Sequence, residues 1–360
     1  MRILIICDSF KGSLTSMEIG KILKEAIEEN SNFKANFLPI SDGGEGFLDV
    51  IENNIDVDSY IVEAKNALGQ SNKARYLYKN NCAYIELAEV VGIKDLKNEE
   101  LDCYHANTYG LGLLIKKVIE THHPKKIVIG LGGSASTDGG SGMLEALGAK
   151  YFQNDTLVSN LDNEKLAYIT HVDLEKVEAL IKGIEFLVLT DVTNPLLGKN
   201  GAAYIFGKQK GATEEDLQVL DDNLRHFVNI LMDETYNEMP GSGAAGGTGF
   251  GCLIGLNGKI EQGIKFLLET SNFKNISKEY DYVITGEGKF DNQSKMGKVY
   301  QGIYNELDKK EKLLVVCALS EVDDENVYSI VPSVATSEES LANPKECLKK
   351  LIKEKVLKNL

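Results

Sequence analysis

Apolar residues follow two rhythms along this chain. Short unbroken runs, at 2–7 (RILIIC), 127–129, 186–189, 281–285 and 313–319, have the length and branching of strands buried on both faces of a parallel sheet. Between them lie stretches at helical spacing. Ile19, Ile22, Leu23, Ala26 and Ile27 share one face of a predicted helix that opens at Thr15-Ser16-Met17-Glu18 and runs to about Glu29. Leu217, Leu220, Leu224, Phe227 and Leu231 do the same within Thr213–Met232, whose Thr-x-x-Asp start is a capping signal. With a strand at 36–40 and a helix to about Glu52, the first 55 residues read β-α-β-α.

Near Ser59 the rhythm changes. Strands at 59–64, 73–78 and 83–87 follow one another with only turns between, the pattern of an antiparallel meander. A helix at 110–121 and the strand at 127–129 come next. In the last third β-α alternation returns, with a helix from about Val299 and an amphipathic basic helix at 344–360. An α/β domain split by an inserted domain accounts for both changes: residues 1–58 with about 200–360, and about 59–199 as the insert.

Most of these strands deliver the same payload at their C-terminal ends. The turns are DSFKGS (8–13), SDGGEG (41–46), GGSASTDGG (132–140), TDVTNP (190–195) and GEGKFD (286–291). Each sets a carboxylate beside small residues, and two add a lysine. Parallel strands share one C-terminal edge, where open α/β sheets bind ligands. The central stretch, Gly130–Gly148, runs from a strand through glycines and hydroxyls into a helix. That is the geometry of a phosphate cradle. Asp138 could instead cap that helix.

Composition narrows the chemistry. With 360 residues, 43% apolar and 26% charged, the chain can bury a sizeable core. A net charge of −15 argues against nucleic acid. The six cysteines form no C-x-x-C pair and several sit in apolar runs, so reduced, buried thiols in a cytoplasmic protein are expected. No apolar run is long enough for a membrane span. The five histidines lack zinc-site spacing, and His122-His123 reads as a surface helix end. There is no G-x-S-x-G elbow and no P-loop. Gly241-Ser242-Gly243-Ala244-Ala245-Gly246 matches G-x-G-x-x-G but follows no predicted strand, so it reads as the small-residue start of a helix at Ala244. Carboxylates, glycines and lysines together suit Mg²⁺-dependent phosphoryl transfer.

These motifs resemble the bacterial glycerate kinase family nearly end to end, through CDSFKGSLTS, SDGGEG, IGLGGSASTDGGSGMLEALGA, LTDVTNPLLGKNGAAYIFGKQKGAT, PGSGAAGGTGFG and VITGEGKFDNQSKMGKV. The resemblance implies a flavodoxin-like three-layer α/β domain with a restriction-endonuclease-like α/β domain inserted into it. It implies an active site in the cleft between them, and transfer from ATP to D-glycerate, giving ADP and 2-phosphoglycerate with Mg²⁺. On that reading Lys11 neutralises a phosphate or the substrate carboxylate. Asp42, Glu45 and Asp191 are the candidates for metal ligand and general base, with Asp191 preferred as base. Asp8, Ser9, Gly43, Gly44, Gly132, Gly133, Ser134, the Asp138 turn and Asn194 contact substrate or phosphate. Gly286, Glu287, Gly288, Lys289 and Asp291 flank a further phosphate or metal, while helix-start charge compensation is the alternative for Glu287 and Asp291; Ser294 and Lys298 support them. The expected partners are D-glycerate and ATP, with no nucleic acid or membrane, in a monomer or homodimer. The alternatives are a kinase of another short hydroxy or sugar acid, or a non-catalytic acid- or nucleotide-binding regulator. Three departures from the family bear on substrate fit: Cys7 before Asp8-Ser9, Leu113 where the family has a glutamate, and Leu319 where it has a glycine.

Overall fold

The computed structural model describes residues 1–10, 13–41, 43–231, 235–291, 294 and 298–360. In chain order the strands are β1 (Arg2–Ile5), β2 (Lys34–Phe37), β3 (Asp58–Lys65), β4 (Ser71–Lys79), β5 (Cys82–Glu86), β6 (Lys126–Gly130) and β7 (Lys150–Gln153). There follow β8 (Thr156–Val158), β9 (His171–Asp173), β10 (Glu185–Leu189), β11 (Lys259–Glu261), β12 (Tyr282–Phe290), β13 (Leu313–Ser320) and β14 (Val327–Val331). The helices that matter for the site are α1 (Ser16–Asn30), α2 (Phe47–Asn54), α3 (Tyr109–His122), α4 (Ser141–Leu147), α5 (Glu214–Leu231), α6 (Ala244–Leu256), α7 (Lys298–Glu306) and α8 (Pro344–Leu351).

The chain forms two compact units. Unit 1 comprises Met1–Asp42, Asp49–Ile55 and Ile264–Leu360. Its sheet runs β14-β13-β12-β1-β2, with every neighbouring pair parallel. Counted within the unit this is the order 2-1-3-4-5 of flavodoxin-like sheets. Thr15 and Glu18 close a capping box at the start of α1, which buries Ile19, Ile22, Leu23, Ala26 and Ile27, the face expected from spacing. They join Ile3, Ile5, Ile284 and Val316 from the strands and Leu348 and Leu351 from α8 in one core. Phe290, Val315 and Cys317 form a smaller cluster with Tyr300 of α7.

Unit 2 comprises Gly43–Leu48 and Asp56–Gly263. Its main sheet runs β11-β10-β6-β5-β4-β3. The pairs from β11 to β5 are parallel, and β5/β4 and β4/β3 are the antiparallel meander. A second sheet, β8-β7-β9, went unforeseen because its strands are short and half polar. The unit's bounds differ from the sequence expectation at both ends. Gly43–Leu48 belong here, and the unit continues to Gly263 rather than ending near residue 200. The reason is packing: Leu224, Phe227 and Val228 of α5 and Phe250, Cys252 and Leu256 of α6 lie in one core with Ile127, Ile129, Phe186 and Val188.

Two local expectations change. The strand expected to end at Thr285 continues through Gly286–Phe290, because Glu287, Lys289 and Phe290 stay in ladder register with Cys317, Leu319 and Ser320 of β13. The helix expected to open at Ala244 is interrupted at once by three left-handed residues, Ala245, Gly246 and Gly247 (φ 51°, 69° and 87°). Gly246 is required there twice over, since a Cβ would sit 1.9 Å from the Ser136 carbonyl oxygen.

Candidate active site

Unit 1 offers the ligand position typical of its strand order. In such sheets ligands bind outside the C-terminal ends of the strands where the order reverses, here between β1 and β12. The Asp8 amide donates to the Gly286 carbonyl at 3.0 Å, and Asp8 Oδ1 accepts the Ser9 amide at 2.7 Å. Asp8, Thr285, Gly286, Glu287, Phe290 and Tyr300 line a small hollow at this point. Burial, with the smaller effect of the Glu287 charge, pushes the Cys317 thiol up to about 12. Further along β12, the exposed Lys289 pairs with Glu321 at 2.7 Å and with Asp291 at 3.8 Å, and the Glu321 carboxylate raises its ammonium's pKa. Asp291 Oδ1 accepts the Ser294 amide at 3.0 Å while Ser294 Oγ accepts the Asp291 amide at 3.2 Å, so Asp291 caps the turn that follows. Lys11 and Asp42 lie outside the described residues, as does the side chain of Lys298.

In unit 2 the 43–46 and 132–134 turns are brought together. Gly132 has no room for a side chain: a Cβ would lie 2.5 Å from Gly44 Cα and 3.2 Å from the Glu45 amide nitrogen. The exposed Glu45 carboxylate pairs with Lys94 at 3.1 Å, and the neighbouring Ile93 amide donates to the Gly133 carbonyl at 2.7 Å. Ser134 is buried, its hydroxyl 3.0 Å from that of Ser136 and accepting the Ser136 amide at 3.1 Å. Half-buried Asp191 leaves β10, which pairs with β6. Asn194 is tied into the fold: its side-chain amide donates to the Asn200 carbonyl at 2.8 Å, and its own carbonyl accepts the Gly243 amide at 3.0 Å.

The Asp138 carboxylate is internal. It is fully buried and accepts the Thr108 amide and hydroxyl, the Gly142 amide at 3.0 Å and, at the 3.4 Å limit, the Gly140 amide. Burial pushes its carboxyl above the usual carboxylate range against the pull of those bonds. Through these donors it holds the starts of α3 and α4. His122 also differs from a plain surface helix end: its Nε2 lies 2.9 Å from the Tyr76 hydroxyl and its ring stacks on Tyr78 at 4.0 Å.

Two residues of this region escaped the sequence reading. Lys210 is buried and donates to the Ser136 carbonyl, and burial pushes its ammonium down to about 8. Its signal was a lysine flanked by glycine in GKQKGAT. Glu86, the last residue of β5, is 3% exposed, and burial raises its carboxyl to about 7. Its signal was a carboxylate closing an otherwise apolar strand.

Carboxylates and backbone donors at strand ends, among hydroxyls and glycines, are groups that handle phosphate and a hard cation. Among the described residues no three His, Cys, Asp or Glu are grouped to hold a metal ion. The glycerate kinase family model matches residues 3–358. The chain belongs to the glycerate kinase family. It is 34% identical over 309 residues to a glycerate kinase of Halalkalibacterium halodurans, covering 84% of this chain and 80% of that one. It is 31% identical over 357 residues to glycerate 2-kinase of Escherichia coli, covering 94% and 93%. A crystal structure from Salmonella typhimurium LT2, provisionally named glycerate kinase 2, superposes with a TM-score of 0.80 over the whole of both chains at 29% identity. Among the described residues no helix is long and apolar enough to cross a membrane.

Proposed function

We propose that this kinase transfers the γ-phosphoryl group of ATP to a hydroxyl of D-glycerate, giving ADP and 2-phosphoglycerate. What carries the reading is that the family match runs through the same residues that crowd the strand ends: Asp8 and Glu287 in unit 1, and Glu45, Gly132 and Asp191 in unit 2. Oxygen donors are the chemistry Mg²⁺ selects, and Mg²⁺ is usually held by one or two carboxylates plus substrate phosphates. Of the three candidate carboxylates, Glu45 and Asp42 are the residues that would hold it, where it would neutralise charge developing on the phosphate, and Asp191 is preferred as base. Asp191 takes the proton of the attacking hydroxyl. Lys11 and Lys289 neutralise phosphate or substrate carboxylate, and the amides around Gly132 and Gly133 donate to phosphate oxygens. Asp138 is given no contact with substrate.

The six cysteines, all unpaired, fit a reducing compartment, and we place the protein in the cytoplasm as a monomer or homodimer. The deciding experiment is ADP release coupled to NADH oxidation, with purified protein, ATP, Mg²⁺ and D-glycerate. Turnover abolished by EDTA and by omission of glycerate is the expected result, and phosphorus NMR of the product reads the phosphorylated hydroxyl. Turnover only with another hydroxy acid would reassign the substrate; Leu319, 40% exposed, is where such a change of fit is expected. Binding without turnover on any acid tested would make the chain a regulator.

A further inference from the structure

Glu86 stands where a buried carboxylate needs a reason. Taking a carboxylate out of water is costly unless hydrogen bonds offset it. Its two oxygens are used separately: Oε1 accepts the Gly46 amide at 2.9 Å, and Oε2 accepts the Leu48 amide at 3.1 Å. These amides open α2, whose first residue is Phe47. Helix starts are normally capped by the side chain just before them, but Gly46 has none. The carboxylate arrives instead from β5, forty residues on in the chain.

The difference matters. A local cap satisfies amides and leaves the helix start free to move with its loop. A cap from the sheet satisfies the same amides and also fixes where the loop lies. Glu86 faces Gly130 in the β5/β6 ladder, and a Cβ on Gly130 would sit 2.5 Å from the Gly43 carbonyl oxygen. The turn so held carries Gly44 against Gly132, and Glu45 toward Lys94.

We propose that Glu86 is a positioning residue for the 43–46 turn, anchoring it to the end of β5 so that Glu45 and the glycine amides are held ready for the phosphoryl-transfer step. This rests on the kinase reading above. Glu86→Gln keeps the shape but turns an amide donor toward one of the two backbone donors. Its kcat is expected to fall at least tenfold, with KM for D-glycerate and ATP within threefold. Hydrogen exchange at the Gly46 and Leu48 amides should quicken at least tenfold while the β6 amides are unchanged. Glu86→Asp, which keeps the charge and shortens the reach, should recover part of kcat; it carries the test by the same criteria if Glu86→Gln does not fold. A kcat within twofold of wild type, even with a lower melting temperature, overturns the proposal, as does unchanged exchange at both amides. Glu45→Ala separates this from the wider reading. If it lowers kcat while Glu86→Gln does not, only the positioning role falls. If neither changes kcat, the 43–46 turn is outside the site and the reading that placed it there falls too.

Discussion

Asp138 and Thr108 are joined twice: Asp138 Oδ2 accepts the Thr108 amide at 2.9 Å and its hydroxyl at 2.7 Å. The Thr108 hydroxyl oxygen in turn accepts the Met143 amide at 2.9 Å. One fully buried carboxylate thus organises the first turns of two helices, α3 and α4. Asparagine in its place keeps one acceptor oxygen and directs an amide donor at groups that themselves donate. Asp138→Asn should therefore lower the unfolding free energy by about 2–4 kcal/mol, the range for stranding buried donors and losing a charged acceptor. Urea denaturation followed by circular dichroism measures it. A loss within the scatter of surface substitutions would mean the carboxylate does not hold these helices.

Lys210 gives a pH signature of opposite sense to an ordinary surface lysine. Burial holds its ammonium down at about 8, against the attraction of Asp138, while in the unfolded chain it keeps the ordinary 10.5. Below about 8 both states carry the proton and the burial penalty is fully present. Between about 8 and 10.5 the unfolded state binds more protons than the folded one, so stability from this group rises with pH. Relative to Lys210→Met, wild-type stability should climb by about 1.4 kcal/mol per pH unit across that window. The other groups titrating there are shared by both proteins and cancel in the difference. Parallel urea titrations from pH 7 to 10.5 check it; a flat difference would place the Lys210 ammonium in contact with water.

Much of this was legible in the sequence, and the failures have physical causes. The α1 capping box and apolar face were written into residues 15–27, and the meander into the absence of helices between β3 and β5. Those signals are local. The role of Asp138 is not: capping donors from Gly142 and from Thr108, thirty residues upstream, look the same in sequence as phosphate ligands. Glu86 was missed for the same reason, its partners lying forty residues back. The reach of unit 2 to Gly263 depends on which core α5 and α6 join, and an amphipathic face does not name its partner. Gly286–Phe290 looked like a turn by composition, but pairing with β13 overrides the low strand preference of its glycines.

Gly132 tests whether the two glycine turns of unit 2 work together. Any side chain there meets the backbone at Gly44 and Glu45, so the 43–46 turn must shift by several tenths of an ångström or more. Position 132 is only half-buried, and its neighbours on that side are backbone atoms of a turn rather than core side chains. Gly132→Ala should accordingly reduce kcat/KM at least tenfold, about 1.4 kcal/mol of transition-state stabilisation, while melting changes by a few degrees at most. Gly69→Asn is the control, because Gly69 has a left-handed backbone that asparagine tolerates and nothing within 4 Å of a Cβ. Equal kinetics for the two variants would show that the close approach has no part in turnover.

Asp191 carries the sharpest chemical prediction. It follows the last buried residues of β10, at the edge where parallel strands present ligand-binding groups, and it is half-buried. Asparagine matches it in size and keeps one acceptor, so Asp191→Asn should fold and melt like wild type. It can neither take a proton nor balance a cation's charge, so kcat should fall by about 10²-fold or more. The Mg²⁺ dependence then separates the two roles. A base leaves the half-saturating Mg²⁺ concentration unchanged in the residual activity, whereas a ligand raises it severalfold. Loss of kcat at unchanged Mg²⁺ affinity is the expected outcome, and near-normal turnover would remove Asp191 from the chemistry altogether. If Mg²⁺ affinity falls as well, the carboxylate holds the metal, and the hydroxyl's proton must leave by another acceptor.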